Sequence, residues 1–326
     1  MPGYERSPEP SPPPAVALAS WLRWALAALW LLDAGLQLQP SMFGQGFSGN
    51  VIYNSALMYQ PPGLENFLFA VARLEAHHLV LLSAGIATVE AAIGLGLLWR
   101  PTRRAAIVTS IAWAALVWVL GQGLGFMATG TAMVEFGAPG SAVLYIVVAL
   151  VVWADESGHR ARRPGTATAR IAWSGYWGLG ALLHIPWHYS PAAVLAYNLQ
   201  TAAQLQPAHL SGLDYTLARA AYLNSAPVSI ILASLELLLA VAVWMPVTRR
   251  WSVALGLGVT AVFWVLGQAM GGILTGLATD PGTAPLVALL GIRLLTSRPW
   301  EAAVSSSRLA NPAPSAPARS AHPTSP

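Results

Sequence analysis

The chain has 326 residues, of which 55% are hydrophobic and only 9% charged, with a formal net charge of +4. Soluble domains carry about 25% charged residues, so this composition excludes an ordinary water-soluble fold. The absence of cysteine excludes disulfides, thiolate metal sites and thiol redox chemistry.

In chain order, the first element is a proline-rich stretch, 1–16, that carries Glu5 and Glu9. It reads as a disordered cytoplasmic N-terminus and a poor start for a signal peptide, and no convincing small-residue cleavage site follows the first span, so that span is expected to be retained. A helix needs about 20 residues to cross the hydrocarbon core. Eight segments qualify: 17–38, 78–99, 105–127, 138–154, 171–186, 227–245, 251–274 and 282–297. Pro139 and Pro281 stand at the starts of the fourth and eighth, where a missing N–H costs nothing. Before the second, Leu64, Phe67, Leu68, Val71 and Leu74 have helical apolar spacing, which predicts an amphipathic helix on the outer surface. Residues 155–170 read as a basic cytoplasmic linker, and 298–326 as a disordered cytoplasmic tail of Ala, Pro and Ser.

All 17 basic residues are arginines. With the high Ala, Gly and Pro content this points, through codon usage, to a GC-rich bacterial genome. Numbered from a cytoplasmic N-terminus, fifteen arginines fall on or near the inner side and only Arg73 and Arg219 fall outside. That asymmetry predicts both termini on the cytoplasmic side of the bacterial plasma membrane. It also explains the positive charge without nucleic acid.

The second half repeats the first. Trp118-Val119-Leu120-Gly121-Gln122 recurs as Trp264-Val265-Leu266-Gly267-Gln268, 146 positions later. In the same register Thr102-Arg103-Arg104 matches Thr248-Arg249-Arg250, Glu90 matches Glu236, Ser83 matches Ser229 and Arg73 matches Arg219. Matches in one register imply a duplicated unit. The expected fold is therefore all-α: a polytopic integral membrane protein of about eight transmembrane helices, arranged as two fused four-helix bundles, 17–154 and 171–297. An even number of spans per half places the pseudo-twofold axis along the membrane normal.

The polar residues inside these segments are the candidates for chemistry. Glu90 and Glu236 lie in apolar spans, where a carboxylate must face the bundle interior. They serve either a proton or substrate site or an interhelical hydrogen bond. Arg73 and Arg219, each 17 residues before its glutamate, need an anionic partner: Glu75, a lipid phosphate or an anionic substrate. Asp33 lies at the outer end of the first span with Gln37 one turn later on the same face, and the fifth span has no such acid. Gly121 and Gly125, with Gly267 and Gly271, form GxxxG pairs that predict close helix approach. Gln122 and Gln268 lie on those faces and need hydrogen-bond partners across spans or halves, a quinone or substrate contact being secondary. His184 and His188 have the i,i+4 spacing that can place two imidazoles on one metal. Pro186 between them distorts that helix end, and interfacial histidines beside an aromatic belt are the expected reading, so no metal is expected. With no lysine there is no Walker motif, and no nucleotide chemistry is expected.

The run from Glu90 to Trp99, followed by Arg100-Pro101-Thr102-Arg103-Arg104, resembles the DoxX/DoxD-like family of four-helix bacterial membrane proteins, and Glu236 through Arg250 is similar. Arg23, Trp30, Gly35 and Gln37 echo the start of that family's first helix, with Gln37 where the family usually has lysine. The resemblance implies a partner subunit of a membrane redox complex, with quinone as the cofactor and a redox subunit as partner besides the lipid bilayer. The residues themselves also leave open a membrane scaffold or assembly factor, and a proton-coupled small-molecule transporter using Glu90 and Glu236.

Overall fold

The computed structural model describes residues 14–44, 53, 60–157, 164–186 and 189–296. Most of the proline-rich N-terminal stretch, the middle of the linker, His188 and the C-terminal tail lie outside the described residues. Every regular element among the described residues is helical. They are α1 (Pro14–Gln37), α2 (Pro62–His77), α3 (Leu79–Leu98), α4 (Arg103–Leu120), α5 (Ser141–Ser157), α6 (Pro164–Leu183), α7 (Pro191–Gln204), α8 (Ala208–Leu223), α9 (Ser225–Ala242), α10 (Arg249–Val262) and α11 (Thr283–Leu295). Four are long and apolar enough to cross a membrane: α3, α4, α9, and α10 with the π-turn that carries it to Gly267. The other four expected segments are also helical, as α1, α5, α6 and α11. The linker is shorter than expected, because α5 runs on to Ser157 and α6 starts at Pro164.

Large apolar side chains cover much of the surface and several acids are buried, a reversal of the usual soluble pattern. Leu81 is 73% exposed on α3 and Ile230 is 65% exposed on α9, whereas Asp33 and Glu236 are 2% and 0% exposed. Within the first half α1 packs on α3, α3 on α4 and α4 on α5. In the second half α6 packs on α9, α9 on α10 and α10 on α11. The halves meet where α5 and α11 pack against each other and against α6. Leu26, Ile93, Val148, Trp173, Leu239 and Leu290 belong to one core that runs through both halves, not to two separate ones.

The helix ends expected on the inner side gather at one end of the molecule. There Glu156 of α5 accepts a hydrogen bond from Arg23 of α1 at 2.9 Å and pairs with Arg103 of α4 at 3.4 Å. Arg293 of α11 donates to both oxygens of Asp155 of α5, at 2.9 and 2.7 Å. Gly165, in the first turn of α6, leaves room for that carboxylate, which a Cβ would strike. At the opposite end α2 is the expected amphipathic helix, burying Leu68, Ala72 and Glu75. Its counterpart is a helical hairpin, α7 and α8, that the sequence reading did not anticipate.

The third and seventh segments were expected to run as helix to 127 and 274, and they do not. α4 ends at Leu120 and is followed by Gly123, Leu124, Gly125 and Phe126, all at positive φ. The second half does the same at Ala269, Met270, Gly271 and Gly272. The GxxxG pairs therefore do not form helix-packing faces. Gly125 and Gly271 sit in left-handed turns at φ +60° and +70°, where a Cβ would collide with the carbonyl groups of Pro139 and Pro281.

Candidate functional site: a polar cavity between the halves

The repeated pentapeptide is a clip. Trp and Gln four residues apart lie on one side of the helix end and reach the segment before the next helix. Trp118 Nε1 donates to Pro139 O at 2.7 Å, and Trp264 Nε1 donates to Pro281 O at 2.8 Å. Gln122 Oε1 accepts from the backbone N–H of Ala142 at 3.2 Å, in the first turn of α5. Gln268 Oε1 accepts from the N–H and hydroxyl of Thr283 at 3.1 and 3.0 Å, at the start of α11. Each glutamine thus satisfies a donor that a helix N-terminus leaves unpaired. This role explains why both halves contain the motif, and sequence alone showed only that the glutamines needed partners.

Between the two clips lies a cavity of about 420 Å³. Gly121, Gln122 and Gly125 form one wall and Gly267, Gln268 and Gly271 the other, with Phe126 and Phe136 beside them. Asn198 and Thr201 of α7, and Leu205 just after it, also line it. The two Gly-Gln turns thus face each other across the cavity. Gln122 Nε2 is used, donating to Ser141 Oγ at 2.6 Å and lying 3.5 Å from Asp280 Oδ2. Gln268 Nε2 has no hydrogen-bond partner among the described residues. Asp280, half-buried in the wall, accepts from Gly282 N at 2.7 Å. Burial pushes its carboxyl above the ordinary value, against the hydrogen bonds from Gly282, Ser141, Thr279 and Gln122.

Glu90 and Glu236 belong to different clusters. Glu90 lies with Asp33, Tyr145 and Asp280, which are within electrostatic reach of one another, and with Trp113 beside it. Asp33, which the sequence singled out as unmatched, therefore joins the glutamate of its own half. Glu236 lies with Tyr176, Glu135 and His184. His184 Nε2 is 2.9 Å from Glu135 Oε1 and 3.6 Å from Glu236 Oε2. His184 is thus a buried partner of two carboxylates and not an interfacial histidine. Sequence reasoning missed Glu135, Asp280, Tyr145 and Tyr176. Glu135 and Asp280 sit in loops without periodicity, and neither has a repeat counterpart to draw attention to it.

Arg73 and Arg219 do not join either cluster. Both are exposed on α2 and α8, and neither forms an ion pair among the described residues. Glu75 is on the opposite, buried face of α2, where desolvation pushes its carboxyl up to about 7. Asp214 of α8 is pushed to about 6 by burial, opposed by the hydrogen bond it accepts from Gln206 Nε2 at 2.5 Å. Gln206 Nε2 also donates to Leu266 O at 3.0 Å, tying the outer hairpin to the clip.

No family model matches the chain, and no curated protein or solved structure is similar enough to count as a relative.

Proposed function

We propose that this chain is an integral membrane protein of eight spans, built from a duplicated four-span unit, that binds a small amphipathic molecule of quinone type between its halves. In this reading it is a non-nucleotide-hydrolysing subunit or partner of a redox complex in the bacterial plasma membrane, with both termini cytoplasmic. The observation that carries the reading is the cavity at the interface. Its volume falls in the range of small-molecule sites, and such sites pair apolar walls with a few placed polar groups. Phe126 and Phe136 offer flat apolar surface, and Gln268 Nε2 is a donor with no protein acceptor among the described residues. A quinone carbonyl is an acceptor of the right kind. The apolar exterior and the gathering of arginine-bearing helix ends support the topology. The likeness of residues 90–104 and 236–250 to the DoxX/DoxD-like pattern supports the redox association.

A titration of the protein in lipid nanodiscs with a short-chain quinone tests this. Saturable binding at about one molecule per chain is expected, weakened about tenfold by Gln268→Leu, the loss of one hydrogen bond of about 1.4 kcal/mol. Binding that does not saturate, or that Gln268→Leu leaves unchanged, counts against it.

One observation favours a second reading, proton-coupled transport. Discontinuous helices whose unwound backbone lines a central site are a transporter feature, and α4 and α10 both end in such turns at the cavity. Uptake into proteoliposomes driven by a pH gradient, and lost in Glu90→Gln, would move the assignment to transport.

A further inference from the structure

We propose that Glu135, His184 and Glu236 form a binding site for one divalent first-row transition metal. The three side chains come from the turn Val134–Phe136, the end of α6 and the middle of α9, so the site joins the two halves. Their exposures are 3%, 7% and 0%. One ligand atom from each lies within 4.8 Å of the others. Metal–ligand bonds of about 2.1 Å place neighbouring donors about 3.0 Å apart at right angles and about 3.4 Å apart at the tetrahedral angle. The observed separations from His184 Nε2, 2.9 and 3.6 Å, bracket those values.

The unspent valences point the same way. Neither oxygen of Glu236 has a hydrogen-bond donor among the described residues, and neither does Glu135 Oε2. Two carboxylates buried together repel each other and have lost their water, a large cost that a cation between them, or a proton on one of them, removes. No arginine reaches them among the described ion pairs. His184 Nδ1 also has no partner among the described residues, which leaves Nε2 free to present its lone pair once Nδ1 carries the proton. An imidazole with two carboxylates suits Mn²⁺, Fe²⁺ or Zn²⁺. Calcium wants six to eight oxygens and magnesium keeps a shell of water, which a dry three-ligand site does not offer. Gly180 on α6 makes room for the site, since a Cβ there would sit 2.6 Å from the Glu236 carboxylate oxygen. None of the three ligands lines the cavity between the clips, so the metal site stands apart from quinone binding. It also differs from the His184–His188 pair, at which no metal was expected, replacing the second imidazole with two acids distant in sequence.

The test is metal content and binding on the full chain in detergent, stripped with chelator and reloaded separately with Mn²⁺, Fe²⁺ or Zn²⁺. Expected is about one equivalent of at least one of these ions. Affinity should fall more than about a hundredfold in Glu236→Gln and His184→Ala, beyond the 10–100-fold of a changed supporting residue. Gly180→Ala, which keeps all three ligands and shifts only a carboxylate, should weaken binding about tenfold. Glu90→Gln, equally buried in the other cluster, should bind like wild type. Co²⁺ loaded into the wild-type protein should show ligand-field bands, a readout that does not depend on any variant folding. Less than about a tenth of an equivalent of every ion in monodisperse wild-type protein overturns the proposal. So does undiminished binding in a folded Glu135→Gln/Glu236→Gln variant, or Co²⁺ bands identical to those of the free aqueous ion.

Discussion

Breaking the pair between Arg293 and Asp155 should cost stability whichever partner is removed, and the two losses should not add when both are removed. The two side chains are 5% and 7% exposed and joined by two hydrogen bonds. Removing one member of a buried pair costs about 3–5 kcal/mol, because the other is left charged without compensation. Both partners also lie near helix ends. Asp155 lies against Gly165 in the first turn of α6 but also in the last turn of its own α5, and an anion gains about 0.3–1 kcal/mol at the first and loses a similar amount at the second. Arg293 lies in the last turn of α11, where a cation gains about 0.3–1 kcal/mol. These terms are small beside the pair itself, so Asp155→Asn and Arg293→Met should each destabilise by about 3–5 kcal/mol. The double variant should cost no more than either single, a coupling of about 3 kcal/mol or more. The assay is reversible unfolding in mixed micelles, read by tryptophan fluorescence for both singles and the double. Additive effects, or a loss under about 1 kcal/mol in either single, would refute the assigned role of the pair.

Other expectations follow from the clips and the outer acids. Trp264→Phe removes one hydrogen bond and leaves a carbonyl unpaired, so a loss of about 1–2 kcal/mol is expected in the same unfolding assay. Trp118→Phe should match it, because the geometry is the same in both halves. Gly271→Ala combines a left-handed residue with a Cβ 2.5 Å from the Pro281 carbonyl carbon, and a loss of at least about 2 kcal/mol is expected. Glu75 has a folded value of about 7 against 4.5 in the open chain. The folded state holds that proton more tightly, so this residue's contribution to stability is highest below about pH 4.5 and declines as pH rises through 7. Wild-type stability minus that of Glu75→Gln should decline across that window by on the order of 2 kcal/mol and stay flat above it. A difference that rises with pH would reverse the assignment.

Much of the architecture was legible through a simple rule. Backbone in hydrocarbon must be helical, and the eight apolar runs read by that rule are all helices even where their ends shifted, four of them long and apolar enough to cross a membrane. The burial of Glu90, Glu236 and Asp33 was legible for the same reason, since an acid in an apolar run has nowhere else to go. The ends of α4 and α10 were not legible. Gly121 and Gly125 fit a helix-packing pattern as well as a left-handed turn, and the sequence alone does not separate a spacing of four from a positive φ. The site was half legible. Gln122 and Gln268 stood out through repetition, but their role as caps depends on Ala142 and Thr283, which carry no signal of their own. Glu135 and Asp280 lie in loops: only the packing of the turn Val134–Phe136 against α6 places Glu135 beside His184, and only the loop before α11 carries Asp280 within reach of Glu90. The outer arginines mislead in the opposite direction. Their repetition suggested a site, and the structure leaves both on exposed faces.

The most direct measurement is the inventory of small molecules that leave the cell membrane with the protein when it is excised in native lipid discs. Wild type and Thr201→Trp should be compared side by side. Thr201 is exposed on α7, and its hydroxyl bonds only Tyr197 O of its own helix at 3.1 Å. A tryptophan there should fill the cavity without cutting a core contact. About one quinone-class molecule per chain is expected in wild type, and close to none in Thr201→Trp. Bulk lipid alone in both, or the same quinone content in both, would contradict a binding site between the halves.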